Sequence, residues 1–281
     1  MDTIVIATDL SSRAERAHRM GTLLARQMGA RLRFVYGIDN DQPANLVKAQ
    51  SDQAWISLQR LADTVERCDG IDCSAEVATG DGIAEAITAC VPSSASLLIL
   101  GSHRRRPVRD LFLGGTPERL VAQRRVPVLV VRQPPVEAYR RMLFATDLSD
   151  ASMTVARRIA NHPVTGPLAK IVLTVAGSLD QSPVAANRMS DSAREEWLAG
   201  MAARAEAALE RFIKRARMGV VTPRVEATTQ PTAAAIVEAA RHEGADLIAV
   251  SPSDAQGLES FLRESVTVQL LNSAPMDVMV L

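Results

Sequence analysis

The sequence is poor in aromatic residues and carries no net charge. Phenylalanine, tyrosine and tryptophan make up only 3% of the 281 residues, whereas 47% are hydrophobic. The cores must therefore be built from aliphatic side chains, whose short runs are typical of buried strands in α/β proteins. The 32 basic and 32 acidic residues balance, so we predict no nucleic acid partner, although specific acidic partners stay open.

Nothing in the sequence indicates a metal site, an export signal or a membrane span. Cys68, Cys73 and Cys90 lack metal-ligand spacing and are typical of reduced thiols in a cytoplasmic protein. The four histidines are scattered, which favours solvent-facing or capping roles. The N-terminal apolar run is too short for a signal peptide, and no segment approaches the roughly 20 apolar residues that span a bilayer. We predict a cytoplasmic protein with no metal and no membrane partner.

An internal repeat of domain length organises the chain. The N-terminal segment TIVIATDLSSRA recurs as RMLFATDLSDAS, which puts Asp147 in the position of Asp9, and Ser251 stands in the position of Gly101. A period of this length indicates a duplicated domain and not a solenoid of short repeats. The proline-containing segment RQPPVEAYR is typical of a linker. We therefore predict one domain over residues 1–133 and another over residues 141–281.

Strands and helices alternate along each copy. In the first copy, aliphatic strands over residues 4–7 and 126–131 enclose segments of helical period, such as the one marked by Ala17, Met20 and Leu24. The second copy repeats this order. The alternation predicts the α/β class, with a parallel sheet in each copy and helices on both of its faces.

Glycines bracket a loop that suits a phosphate. Gly101 directly follows an aliphatic strand, whereas Gly114 and Gly115 directly precede a predicted helix with Thr116 as its cap and Pro117 as its first residue. The loop between the glycines carries four arginines. A loop of this kind presents free backbone N–H groups and the positive end of a helix dipole, and their usual occupant is a phosphate.

At this stretch the sequence resembles the universal stress protein family. Nucleotide-binding members carry glycine, two residues, glycine, nine residues, glycine, and then serine or threonine. Gly101 and Gly114 match the outer glycines, whereas Arg104 stands at the second glycine and Gly115 at the serine or threonine. Thr116 follows directly and offers a hydroxyl. The resemblance is therefore complete in spacing and partial in residue type.

The resemblance implies a fold, a ligand and a site. The fold would be two tandem Rossmann-like domains of the adenine nucleotide alpha hydrolase-like type, each with five parallel strands in the order 3-2-1-4-5. The ligand would be ATP or another adenine nucleotide, with Mg²⁺ only as its companion, and the chain would associate further into a homodimer. The site in the first domain would contain Thr8, Asp9, Tyr36, Gly101, His103, Arg104, Gly114, Gly115 and Thr116.

Two features of this site leave alternatives open. Asp9 resembles the acidic residue that touches the adenosine part of ATP in nucleotide-binding members, but Asp9 and Asp147 also suit the caps of their first helices. The four arginines between Arg104 and Arg109 suit the phosphates of a nucleotide or an acidic partner. Arginines in a loop are also commonly just solvated.

The second copy has lost the motif. Ser251, Asp254 and Glu264 replace its three glycines, and only Ser265, at the fourth position, is of the family type. Two carboxylates at the place of the phosphates would repel them. We therefore predict that the second domain binds no nucleotide.

The sequence lacks the motifs of common enzyme classes. It contains no P-loop, no nucleophile elbow, no HExxH and no CxxC. A slow ATPase stays open, although no residue presents itself as a general base for water. We predict a non-enzymatic universal stress protein, a stress-response binding module with a weakened adenine-nucleotide site in its first domain. The alternative is a nucleotide-free scaffold or regulatory protein that acts through contacts with a protein partner.

Overall fold

The computed structural model describes residues 2–102, 115–123, 125–178, 189–252 and 265–281. These residues form two compact units, of which the first ends at Ala138 and the second begins at Tyr139. Each unit is an α/β domain built on five parallel strands.

The first unit contains five strands and four helices in its described residues. Along the chain they are β1 (Thr3–Ala7), α1 (Ala14–Met28), β2 (Arg31–Asp39), α2 (Ala44–Asp69), β3 (Cys73–Gly80), α3 (Ile83–Cys90), β4 (Leu97–Gly101), α4 (Thr116–Ala122) and β5 (Val128–Val131). The strands are parallel and lie in the order β3-β2-β1-β4-β5. This order confirms the predicted arrangement.

The second unit repeats the arrangement. Its elements are β6 (Arg141–Ala145), α5 (Asp150–Asn161), β7 (Ala169–Ala176), α6 (Asp191–Ala216), β8 (Thr222–Ala227), α7 (Thr232–His242), β9 (Leu247–Val250), α8 (Val266–Ser273) and β10 (Asp277–Val280). The parallel strands lie in the order β8-β7-β6-β9-β10. The predicted duplication is therefore also a duplication of topology.

Aliphatic patterning explains the layers of each unit. The strand residues of β4 and β5 are buried almost without exception, as expected for strands covered on both faces. Right-handed crossovers place α1 and α2 on one face of the first sheet, and α3 and α4, which pack against each other, on the opposite face. The strand predicted from residue 126 begins only at Val128, because Pro127 has no N–H to contribute to a strand ladder.

Two glycines let α3 lie unusually close to the sheet. A Cβ atom added to Gly37 in β2 would stand 2.8 Å from the backbone oxygen of Ile83, and one added to Gly80 in β3 would stand 2.9 Å from the backbone nitrogen of Ala86. The obstructing atoms belong to the helix backbone and cannot rotate away. The close approach of α3 therefore depends on glycine at both positions.

We expect the Gly37→Ala substitution to destabilise the protein by about 1–3 kcal/mol, because α3 must shift to make room for the new methyl group. Urea unfolding followed by circular dichroism measures this change. The control is Gly200→Ala on α6, where the nearest atom to an added Cβ is 3.9 Å away. That change should stabilise the helix by roughly 0.5–1 kcal/mol. Equal effects of the two substitutions would contradict the packing argument.

Candidate functional site

A tight turn follows the first strand at the carboxyl edge of the sheet. Leu10 donates its backbone N–H to Thr8 Oγ1 at 3.0 Å, and Ser11 donates its N–H to Asp9 Oδ1 at 3.0 Å. Leu10 has φ +58°, a left-handed conformation that costs a residue with a side chain on the order of 1–2 kcal/mol. The two side-chain hydrogen bonds hold the turn in this conformation and leave the Asp9 side chain on the exposed side.

The second unit builds the same turn. Leu148 donates to Thr146 Oγ1 and Ser149 donates to Asp147 Oδ1, each at 3.0 Å, and Leu148 has φ +64°. The helix that follows is capped by Ser149 and not by Asp147. In the first unit the cap residue of α1 is Arg13. The alternative that the two aspartates cap their first helices is therefore wrong, because each aspartate closes a turn that ends before the helix begins.

His18 lies beneath the first turn. Its Nε2 atom is 2.8 Å from Thr8 Oγ1, and its ring meets the ring of Phe34 edge to face with 5.5 Å between the centroids. Burial lowers the pKa of His18 to about 4, against weaker opposing effects of Glu15 and Asp9. The imidazole is therefore neutral at pH 7.

The expected solvent-facing or capping role does not apply to His18. The sequence held a signal for this burial, because His18 follows Ala14 by four residues and precedes Gly21 by three. Both of these neighbours lie on the buried face of α1.

Tyr36 lies near the end of β2, on the strand beside β1. Thr8 donates its N–H to the carbonyl oxygen of Val35 at 2.9 Å, which keeps the ends of the two strands together. The half-buried Tyr36 accepts a hydrogen bond at its hydroxyl from Gln50 Nε2 at 3.1 Å. Gln50 belongs to α2 and was not singled out from the sequence. The structure therefore brings Tyr36 to the same edge as Thr8 and directs its hydroxyl to α2.

Gly101 ends β4 on the other side of β1. Ala7 pairs with Leu100, so Thr8 and Gly101 leave neighbouring strands at the same level. A Cβ atom added to Gly101 would stand 3.3 Å from the backbone oxygen of Arg13 and 3.5 Å from Ala14 Cα. This contact is tighter than normal packing, so glycine permits the close approach of β4 to the start of α1.

Gly115 and Thr116 open α4, but in other roles than predicted. Gly115 is the cap residue and Thr116 is already helical, with no capping hydrogen bond from a side chain at Gly115. Glu118, only 6% exposed, lies three residues after the cap, and its Oε2 atom is 2.8 Å from the position of a Cβ on Gly115. A carboxylate at this position stabilises the first turn of a helix. The spacing from cap to glutamate was readable in the sequence once the cap was placed at Gly115.

Part of the predicted site lies outside the described residues. His103, Arg104 and Gly114 belong to this part, together with the other arginines up to Arg109, and the predictions for them stay predictions. Among the residues that the structure describes, no group of three or more histidine, cysteine or acidic side chains is arranged to hold a metal ion. Within the same residues, no helix combines the length and apolar character needed to cross a membrane.

The equivalent edge of the second unit is filled by its own hydroxyl groups. Ser152 Oγ donates to Asp147 Oδ1 at 2.6 Å and lies 2.9 Å from Ser251 Oγ. The corresponding positions of the first unit hold Ala14 and Gly101, which have no hydroxyl. Desolvation raises the pKa of Asp147, but hydrogen bonds from Ser149 and Ser152 outweigh it and leave the pKa below its ordinary value. The carboxylate is therefore ionised and already engaged.

A tryptophan covers the end of β7. Gly177 has φ +77°, and the indole of Trp197 from α6 lies 3.2 Å from where a Cβ on this glycine would stand. Next to it, the buried Ser178 is hydrogen bonded to Thr232 Oγ1 at 2.8 Å. In the first unit, Gln50 occupies the position of Trp197. The second edge therefore carries larger or more polar side chains than the first at three equivalent positions: Ser152 for Ala14, Ser251 for Gly101 and Trp197 for Gln50.

The architecture and the edge define a class. Two parallel sheets of the order 3-2-1-4-5, each with helices on both faces, are Rossmann-like α/β domains whose ligand position is the carboxyl edge where strand order reverses. The model of the Universal stress protein family matches residues 1–132 and, a second time, residues 138–281. The chain therefore belongs to the universal stress protein family, as a member with two tandem domains.

Individual relatives agree with this assignment. A universal stress protein of Thermus aquaticus, named for its place in the QAH/OAS sulfhydrylase 3′ region, is 31% identical over 141 residues, which are 46% of this chain and 98% of that protein. A solved universal stress protein from Archaeoglobus fulgidus covers 99% of this chain and 95% of its own, at TM-score 0.71 and 18% identity. A structure from Pseudomonas aeruginosa covers 100% and 93%, at TM-score 0.63 and 17% identity. At these identities the two structures share the fold.

Proposed function

We propose that this protein is a non-enzymatic, cytoplasmic stress-response binding module with one weakened adenine-nucleotide site. The site belongs to a first domain over residues 1–133, and a second domain over residues 141–281 has none. The observation that carries the proposal is the contrast between the two carboxyl edges. The first has Ala14 and Gly101 where the second has the Ser152–Ser251 hydroxyl pair, and Gln50 where the second has Trp197.

The described residues of the first edge fit an adenine nucleotide. Asp9 presents an exposed carboxylate, held in place by the turn, toward the position where the resemblance puts the adenosine part. Gly101 stands at the first glycine of the family motif, and Gly115 directly precedes the backbone N–H groups that open α4. Thr116 adds a hydroxyl at the start of α4. Mg²⁺ would enter only with the nucleotide, as a companion of its phosphates.

Arg104 is the reason to expect weak binding. It stands where nucleotide-binding members have glycine, and a residue with a side chain costs on the order of 1–2 kcal/mol wherever the loop requires positive φ. If the loop pays this cost only when a ligand is bound, affinity falls about tenfold, because 1.4 kcal/mol is a factor of ten. Pairing of the guanidinium with a phosphate would recover part of the loss.

We expect the Asp9→Asn substitution to weaken ATP binding to the full-length protein by about tenfold, because the ribose and adenine groups lose a charged acceptor. The asparagine keeps a side-chain oxygen for the Ser11 N–H, so the turn itself survives. Titration calorimetry measures the affinity. The matched control is Asp147→Asn in the second unit, which should leave the affinity unchanged.

A larger effect of Asp147→Asn than of Asp9→Asn would contradict the proposal, because it would locate the nucleotide site in the second domain.

The alternative function is that of a nucleotide-free scaffold, and the occupied edge of the second unit favours it. Heat denaturation of the purified protein, followed by chromatography of the supernatant, separates the two readings. An adenine nucleotide in the supernatant supports the binding module. No copurified nucleotide, together with no heat on ATP titration, supports the scaffold.

We also propose that the chain associates into a homodimer, as the resemblance implies for tandem members. Light scattering at micromolar concentration tests this. A mass of 30.2 kDa, which is that of a single chain, would contradict it.

A further inference from the structure

The end of α6 carries a dense group of cations. We call Arg211, Lys214, Arg215 and Arg217 the basic end of α6; all four are exposed. Within the part of the chain that the structure describes, none of them forms an ion pair, whereas the nearby Arg224 is bound to Glu243 at 2.6 Å. Glu210 directly precedes this group, and no acidic residue follows it until Glu226. The basic end is therefore a local excess of positive charge on a chain without net charge.

Helix geometry puts these cations together. Arg211, Lys214 and Arg215 have the spacing of three and four residues that shares one helix face. Leu209 and Phe212 are buried on another face. Arg217 follows directly, in the left-handed conformation that ends the helix. The four residues span only about 9 Å along the helix axis, at 1.5 Å per residue.

Helix stability alone does not account for the basic end. Cations near a helix C-terminus interact favourably with the helix dipole. However, α2, the equivalent helix of the first unit, is also 26 residues long and can be compared with α6 position by position. Its four corresponding positions hold Thr64, Arg67, Cys68 and Gly70. Both helices have an acidic residue just before this group, Asp63 in α2 and Glu210 in α6, but only α2 continues with Glu66, Asp69 and Asp72. The same helix in the same fold therefore ends stably without this group of cations.

We propose that the basic end of α6 binds an acidic segment of a partner protein. Guanidinium groups match carboxylates in shape and form paired hydrogen bonds with them. Arg211 and Arg215 repel each other at a spacing of four residues, and a partner carboxylate between them removes this repulsion. The partner is therefore recognised by closely spaced glutamates or aspartates.

The surroundings favour a protein partner over nucleic acid or membrane. Among the described residues, no exposed aromatic side chain accompanies these cations, so bases find no stacking surface. Within the same residues, the exposed large apolar side chain next to them is Val220 alone, at 97%. A single valine provides little insertion into a bilayer. Four cations over such a short distance match a few carboxylates of one peptide segment.

The test uses the full-length protein and a fluorescein-labelled peptide of twelve residues that alternate glutamate and serine. We expect binding in fluorescence anisotropy at about 50 mM salt and at least about tenfold weaker binding at about 300 mM salt. The double change Arg211→Glu with Arg215→Glu should weaken binding by at least about tenfold. The control, Arg157→Glu with Arg158→Glu, makes the same charge change at two exposed positions on α5 and should alter binding less than about twofold.

Other outcomes overturn the proposal. These are no binding of the peptide to the parent protein, and equal losses in the two double variants. A single-stranded oligonucleotide or vesicles of phosphatidylserine that bind through the basic end, while the peptide does not, would assign it to another class of partner. Self-association that the Arg211→Glu and Arg215→Glu change abolishes, without peptide binding, would assign it to a second copy. Because two glutamates could disturb α6, Arg211→Gln with Arg215→Gln is measured as well, and it should weaken binding in the same direction.

Discussion

Lowering the pH from 7 to 4 should reduce the free energy of unfolding by about 3 kcal/mol through His18 alone. Burial lowers the pKa of His18 from its ordinary 6.5 to about 4. Between pH 6.5 and pH 4, His18 is protonated in the unfolded chain but stays neutral in the folded protein. The stabilising contribution of the neutral imidazole is therefore complete above pH 6.5 and is lost as the pH falls toward 4.

Urea unfolding at pH 7 and pH 4 measures this loss in the parent and in a His18→Gln variant. The variant should be less stable at pH 7 and should lose about 3 kcal/mol less on acidification. His242→Gln is the control, because the side chain of His242 is 86% exposed, and it should follow the parent. Proton NMR gives an independent answer, since the His18 ring signals should stay at their neutral positions down to about pH 5. Titration of this ring near pH 6.5 would contradict the burial argument.

Replacing Tyr139 by phenylalanine should destabilise the second unit by roughly 2–3 kcal/mol at pH 7. The hydroxyl of Tyr139 donates to Asp277 Oδ2 at 2.6 Å, and Asp277 is only 2% exposed. Phenylalanine keeps the ring and removes the donor, so a buried carboxylate loses a strong partner. Both side chains are buried, and the hydrogen bond joins the segment just before β6 to the first residue of β10.

The same pair predicts a sensitivity to alkali. Burial, and then the charge and hydrogen bond of Asp277, raise the pKa of Tyr139 well above its ordinary value of 10. The unfolded chain therefore releases this proton first, and the contribution of Tyr139 to stability is complete below pH 10 and is lost above it. Tyr36→Phe is the control, since that half-buried hydroxyl accepts only the amide of Gln50 in the described contacts. It should cost less than about 1 kcal/mol at pH 7.

The fold could be predicted in detail because its signals are local and repeated. The aliphatic runs that became β4 and β5 have the length of buried strands, and the three-to-four spacing of Ala17, Met20 and Leu24 marked the buried face of α1. Each signal occurred in both copies. The last strand of the first unit was predicted to begin at residue 126 but begins at Val128, because a hydrophobic pattern does not reveal that Pro127 lacks an N–H.

The sequence marked positions at the carboxyl edge only where a turn or a motif occurs. Thr8 and Asp9 follow a strand and Gly101 ends one, and strand ends are visible in the sequence. Trp197 and Ser152 could not be found in this way, because their role depends on which helix crosses which strand end. The cap of α4 was predicted one residue too late because threonine is a favoured cap residue, and with the cap at Gly115 it is Glu118 that lies three residues after it.

The hydroxyl pair of the second unit has a direction. The Asp147 carboxylate can only accept, so the single proton of Ser152 Oγ is committed to it. Ser251 must then donate its own proton to Ser152, so its oxygen can only accept any further hydrogen bond. A phosphate, which is itself an acceptor, therefore finds no donor in this pair of hydroxyls. Substituting glycine at positions 254 and 264 would remove two negative charges, but the Ser152–Ser251 pair would still offer a phosphate only acceptors.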